Sequence, residues 1–296
     1  MKDAFSGYHP LVNMGYFVLV LTVSMICIHP VTQGICLICA CWYAIQLKGK
    51  AGVMLALKVG LPVMVMAALL NPLFNHAGVT MLWYLPNGNP MTLESILYGW
   101  AAGCMLATVL LWFVCVNEVL TSDKLLYLFG RVIPSLALLV SMTLRLIPRF
   151  RVQLADITEV QRMLGRDPRT GTIFKRLRNA ITILSILITW ALEDAVETAD
   201  SMRSRGYGLP GRTSFHLYRI EERDRAVLLW MGSCGLYLLC GAIQGGFTFR
   251  YFPNIYMTAW NWYTVSLQVV LLALAATPLI LNWKENRIWH SLHSEM

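Results

Sequence analysis

Apolar runs long enough to cross a bilayer recur along the whole chain, separated by short polar joints. Few folds are open to such runs. In lipid every backbone donor and acceptor must be satisfied within the protein, so the helix is the default spanning element. The alternating ten-residue pattern of an outer-membrane barrel is absent from the sequence. Residues AVILMFWYC make up 57% of the chain and charged residues 14%. The fold class expected is an all-α polytopic membrane protein.

Six spans are expected: Leu11–Ile28, Val31–Leu47, Ala51–Leu70, Leu93–Val116, Val227–Gln244 and Tyr256–Asn282. Met1-Lys2-Asp3 leads into apolar sequence without a small-residue cleavage site, so the first helix is expected to be retained. Basic residues set the sides. Fifteen of the 24 Lys and Arg fall between Arg145 and Arg225, whereas Val59 to Asp123 contains none. The inside-positive rule places Asn71–Thr92, with its turn Pro86-Asn87-Gly88-Asn89-Pro90, outside, and both termini in the cytoplasm. Two further apolar stretches, Leu125–Ile147 and Ile173–Ala191, would carry flanking Arg outside if they crossed. They are expected to lie along the inner interface or turn back, with kinks at Pro134 and Pro148. The organisation read from this is residues 1–119 as N-terminal transmembrane helices, 120–225 as a cytoplasmic-side layer of amphipathic helices, and 226–296 as C-terminal transmembrane helices.

Within that layer one seven-residue pattern occurs twice. Glu159-Val160-Gln161-Arg162-Met163-Leu164-Gly165 and Asp200-Ser201-Met202-Arg203-Ser204-Arg205-Gly206 both read acid, two residues, Arg, two residues, Gly. Glycine enters the left-handed conformation that ends a helix, and Arg in the last turn suits the partial negative charge there. Two such tips suggest a docking device, against the plain alternative that Arg162 and Arg205 only follow the inside-positive bias. Glu159 and Arg162 are spaced to pair. Leu154, Ile157, Val160 and Leu164 form one stripe and Leu192, Ala195, Ala199 and Met202 a smaller one, expected to pack helix on helix. The tract Arg203, Arg205, Arg212, Arg219, Arg223, Arg225 also suits anionic lipid headgroups.

Signals for catalysis are missing. The sequence holds no Gly-x-x-x-x-Gly-Lys-[Ser/Thr] loop, no His-Glu-x-x-His and no Gly-x-Ser-x-Gly. The chain is expected to be no enzyme and to hold no cofactor or metal. Cys36, Cys39 and Cys41 lie in an apolar run and read as small buried hydrophobes, as do the other five cysteines. The histidines, His216 among them, are scattered. The net charge of +8 belongs to membrane topology and not to a nucleic-acid partner. Two rivals stand beside the docking reading: a self-sufficient membrane carrier, and a membrane-bound enzyme using Glu193 and Asp194 of the interfacial layer.

The stretch Ala199-Asp200-Ser201-Met202-Arg203-Ser204-Arg205-Gly206-Tyr207-Gly208 resembles the second coupling motif, Ala-x-x-Met-x-[Ala/Ser]-Arg-Gly-[Tyr/Phe], of the transmembrane T component (CbiQ/EcfT-like) of energy-coupling factor transporters. Pro134 to Leu138 and Leu144 to Pro148 are similar to the segment before the family's first coupling helix. Ile157 to Arg162 resembles the run into its first Ala-Arg-Gly motif, and His9-Pro10 matches its usual start. One departure stands out: Met163-Leu164-Gly165, followed by Arg166, replaces Ala-Arg-Gly. The resemblance implies a prokaryotic plasma-membrane scaffold with two cytoplasmic ABC ATPase subunits and a membrane-embedded S component as partners, taking up a vitamin or metal ion, with ATP bound by the partners alone. It assigns ATPase docking to Ser204, Arg205 and Gly206 and, in the altered tip, to Met163, Leu164, Gly165, Arg162 and Arg166. Glu159, Asp200, Met202 and Arg203 support these tips.

Overall fold

The computed structural model describes residues 3–84, 90–209 and 218–294. The Pro86–Asn89 turn, Arg212 and His216 lie outside them. The chain is helical nearly throughout and divides into two compact units, residues 1–125 with 218–296, and residues 126–217.

The first unit is built from α1 (Pro10–Ile26), α2 (Pro30–Lys48), α3 (Lys50–Leu55) continued through a π-helical turn at Ala56–Gly60 into α4 (Leu61–Phe74), α5 (Leu93–Val119), α9 (Glu222–Ile243), α10 (Trp262–Ala275) and α11 (Thr277–Ser294). His9 and His29 cap α1 and α2, each accepting the amide of the residue after its helix-opening proline. Pro at the first helical position costs no hydrogen bond there, because that amide has no intrahelical partner. The chain passes from the first unit into the second along α6 (Ser122–Val132).

The helix ends sort into two groups. At one end the N-terminal turn is tied down: Asp3 accepts from Ser6 N–H and from the Tyr43 hydroxyl, and Asn282 accepts from Ala4 and Phe5. Buried Lys124 donates to the carbonyls of Ser6 and Val119, its pKa pulled down by burial and held up by Asp3. Asp224 accepts from His9 N–H, and Lys48 pairs with Glu118 at 3.2 Å. At the other end Tyr251 donates to the Ile28 carbonyl, His29 meets Phe249, and Tyr98 stacks against Tyr251 and Phe252. Lys48, Lys124, Arg223 and Lys284 gather at the first end; the loops of the second hold Arg250 alone among Lys and Arg. The chain therefore runs between these ends six times, as the charge asymmetry implied.

Length and composition qualify five helices to cross a membrane: Pro30–Lys48, Lys50–Phe74, Leu93–Val119, Ile173–Ser204 and Glu222–Ile243. The pair Trp262–Ala275 and Thr277–Ile288 qualifies together, but with a bend of 52°. The expected span Tyr256–Asn282 is thus corrected to one that starts at Trp262 and is bent. Pro278 has no amide to donate, so the ladder breaks ahead of it, and Tyr16 donates to the Ala275 carbonyl at the break. Tyr256 and Met257 pair instead with Phe249 and Arg250 in a short antiparallel ladder. A second ladder joins Met81–Tyr84 to Pro90–Thr92. With 17 residues, α1 falls below the length asked of a span.

Phe5, Tyr16, Phe17, Tyr43 and Trp112 form the aromatic centre of the core, with Phe5 and Tyr16 ring centroids 5.2 Å apart and Tyr16 and Trp112 5.9 Å apart. Helices α4 and α5 pack closely where Gly99 and Gly103, four residues apart, face Met64, Ala67 and Asn71. A Cβ on Gly103 would lie 2.8 Å from the Met64 backbone. This small-xxx-small approach is encoded as Gly99-Trp100-Ala101-Ala102-Gly103, a local signal hidden among other apolar residues.

The second unit is carried by α7 (Pro134–Met163) and α8 (Ile173–Ser204). The expected helix Leu125–Ile147 is broken: Ile133 leaves the helical region at φ −135°, ψ 86° because the residue before a proline is pushed out of it. Pro148 stays inside α7 without ending it. The two helices run antiparallel. Phe150 meets Trp190, and Arg149 lies 3.3 Å from Asp194. Ile157 and Ile183 are buried on this pair, whereas Ala195 and Ala199 are exposed. The small-residue stripe therefore does not form the crossing; large rings and Ile do.

Candidate functional site

Both repeated heptads end their helices in one geometry. The residue that caps α7, Leu164, sits at φ −82°, ψ 9°, and the residue that caps α8, Arg205, at φ −84°, ψ 5°. The glycines that follow are left-handed, Gly165 at φ +73° and Gly206 at φ +81°. Gly165 N–H donates to the Arg162 carbonyl and Arg166 N–H to Gln161; Gly206 N–H donates to Arg203 and Tyr207 N–H to Met202, all within 2.9–3.0 Å. This six-to-one and five-to-two pairing is the Schellman motif, which satisfies carbonyls that a helix end would otherwise leave open. At the second tip the Ser204 hydroxyl also donates to Ser201.

The tips stand out from the unit. Arg162, Met163, Leu164, Gly165 and Arg166 are exposed, as are Arg203, Ser204, Arg205 and Tyr207, while Met202 and Gly206 are half-buried. Leu164 and Met163, at 64% and 78% exposure, are apolar side chains with nothing of this unit to cover them. Among the supports, Glu159 and Asp200 are exposed. Arg162 lies 3.9 Å from Asp167 and not against Glu159, since the chain beyond Gly165 turns Asp167 back toward the helix end. Asp167 is itself fixed by accepting from Arg169 N–H, and its carbonyl accepts from the buried Asn179 side chain. Arg176 donates to the Pro168 carbonyl. These bonds clamp the first tip beside the opening turns of α8.

The predicted residues are therefore brought together in two groups and not in one. Arg205 lies 26 residues beyond Asn179, about 40 Å along a helix rising 1.5 Å per residue. The two tips therefore stand far apart on the second unit. Glu193 and Asp194, the acid-base pair of the enzyme rival, do not converge: Asp194 is engaged by Arg149 and Glu193 faces outward. The cysteines are free thiols, with Cys27, Cys36, Cys39, Cys115 and Cys234 buried.

Comparison with known proteins addresses this combination of a six-traverse helical unit and a two-tipped helix pair. The family model for CbiQ, described as cobalt transport protein, matches residues 9–217. The chain belongs to the CbiQ family. It is also similar to the energy-coupling factor transporter transmembrane protein EcfT of Exiguobacterium sibiricum, 34% identical over 113 residues, which are 38% of this chain and 42% of that protein. The EcfT of Lacticaseibacillus paracasei is 30% identical over 38% of this chain and 40% of its own length. That of Bacillus selenitireducens is 32% identical over 44% of this chain and 54% of its own. The chain spans about two fifths to one half of these curated relatives. Membership of the family, with the apolar helices, makes it a multi-pass membrane protein that resembles, over part of its length, the transmembrane proteins of energy-coupling factor transporters.

Proposed function

We propose that this CbiQ-family chain is the non-catalytic scaffold of an importer, carrying ATP-driven closure of two cytoplasmic ABC ATPase subunits to a membrane-embedded S component that captures a vitamin or metal ion. ATP and substrate are held by the partners. The observation that carries this reading is the pair of matched, exposed Schellman tips at opposite ends of α8. Rigid helices that end in defined, uncovered tips suit force transfer, because a tip held by a partner moves the whole helix with it.

The reading places the Lys-rich end of the first unit in the cytoplasm of a prokaryote, with both termini there. It lays α8 along the inner interface although its length and composition would let it cross, since Lys175, Arg176 and Arg178 open it and Arg203 and Arg205 close it. ATP closure does work only if the two states of the helix pair differ in their contacts.

Arg205→Glu in the full complex tests it. The expected result is loss of the ATPase subunits on purification in mild detergent and loss of uptake, and unchanged ATP-driven uptake overturns the reading.

A further inference from the structure

Between Gln244 and Asn261 the chain carries a single charged residue, Arg250, and no acid. The inside-positive bias does not place a cation at this end, and none of the ion pairs among the described residues takes it. The local fold turns it outward. Successive residues of an extended chain face opposite ways. Phe247 and Tyr251 are buried, Phe249 and Tyr251 have ring centroids 4.5 Å apart, and the Tyr251 hydroxyl donates to the Ile28 carbonyl. Thr248, Arg250 and Phe252 alternate with these and line the other side, joined by Tyr256, which stands opposite Arg250 in the ladder. With Pro253 and Asn254 they bound an open cleft of about 450 Å³, within the range of about 300–1,000 Å³ common for small-ligand sites. The Thr258 amide and hydroxyl both donate to the Thr248 carbonyl and fix the base of the loop.

The loop joins α9, long and apolar enough to cross, to the bent pair that opens at Trp262. A bilayer spanned by these helices brings its headgroups to the loop. Tyr256, Trp260 and Trp262 are 62%, 54% and 89% exposed there, and Tyr and Trp favour the membrane–water boundary, where ring and polar tip are both satisfied. An unopposed guanidinium suits a phosphate, which it can hold through two parallel N–H···O bonds. Thr248 and Asn254 add hydroxyl and amide donors beside it, and Phe252 and Tyr256 add apolar walls.

We propose that this cleft is a phospholipid site. Arg250 takes the headgroup phosphate of a lipid in the leaflet at this end, the outer one under the sidedness proposed above, and Phe252 and Tyr256 flank the glycerol and the upper acyl chains. The site is separate from the helix tips and stands whichever partners those engage.

The test gives the full chain, in lipid nanodiscs, a trace of phosphatidylglycerol with a photoreactive group on its headgroup, and maps labelled peptides by mass spectrometry. Labelling should concentrate on Phe252 to Tyr256 and fall at least tenfold in Arg250→Gln. Labelling at Trp83 and Tyr84, exposed at the same end, should not change. Photoreactive diacylglycerol, which lacks the phosphate, should leave the Phe252–Tyr256 peptide unlabelled, and excess soluble glycerol phosphate should not compete. Equal labelling in Arg250→Gln, a parallel fall at both places, or labelling by diacylglycerol overturns the proposal. Competition by glycerol phosphate overturns it in favour of a free phosphate ester. Loss of labelling on assembly of the complete transporter overturns it in favour of a protein partner covering the loop.

Discussion

Phe150 and Trp190 meet edge to face between α7 and α8, ring centroids 5.7 Å apart and planes at 72°. The neighbouring Arg149–Asp194 pair is more exposed, with Arg149 at 55%. Edge-to-face rings contribute about 0.5–1.5 kcal/mol beyond their burial, and exposed ion pairs about 0–1 kcal/mol. The rings, then, hold the helix pair in register. Trp190→Ala should lower the thermal stability of the purified chain more than Asp194→Asn does. A double-mutant cycle with Phe150→Ala should return a coupling of about 1 kcal/mol. Equal effects of the two single variants would assign the register to the ion pair.

Gly165 and Gly206 hold φ near +73° and +81°. Nothing lies within 4 Å of a Cβ placed on Gly165, and only the flexible Leu209 side chain approaches one on Gly206. The cost of Gly→Ala at either tip is thus backbone strain alone, about 1–2 kcal/mol. Faster amide exchange at Arg166 or Tyr207, the residues whose N–H closes each tip, should report it. Asn in place of Ala should recover part of the protection, since Asn tolerates this region.

Gly103 admits no side chain without moving α4, because a Cβ there would fall 2.8 Å from the Met64 backbone. Overpacking of this kind costs about 1–3 kcal/mol. Gly103→Leu should lower the melting temperature of the detergent-solubilised protein, whereas Gly7→Ala, with open space around it, should leave it unchanged.

Sidedness is open to labelling in intact cells. A cysteine-free variant carrying Trp83→Cys or Trp260→Cys, both exposed, should react with an impermeant maleimide added outside. Thr170→Cys and Ser201→Cys should react only after lysis. Labelling of Thr170→Cys from outside would put the tips on the wrong side for any cytoplasmic ATPase.

Much of the fold was legible because it is coded by neighbours along the chain. Runs of apolar residues and the placement of Lys and Arg gave six traverses, and the spacing of Arg162, Gly165, Arg203 and Gly206 gave two matched helix ends. The Gly99–Gly103 approach was equally local but is masked by the apolar residues around it. Less legible were the bend at Ala276, the strands at Phe249–Arg250 and Tyr256–Met257, and the partners within the helix pair. Asp167 displaced Glu159 as the partner of Arg162 because a turn, not helical spacing, delivered it.

By itself, then, the order of residues determined that the chain is helical with several segments apolar enough to cross a membrane, and that both tips end on a left-handed glycine, since each follows from hydrophobic length or from one residue's torsional freedom. Tertiary structure alone decided that Phe150 lies against Trp190 and that Ala195 and Ala199 stay uncovered. Those outcomes depend on which of several feasible helix registers buries the larger rings, a choice made between residues distant in the chain.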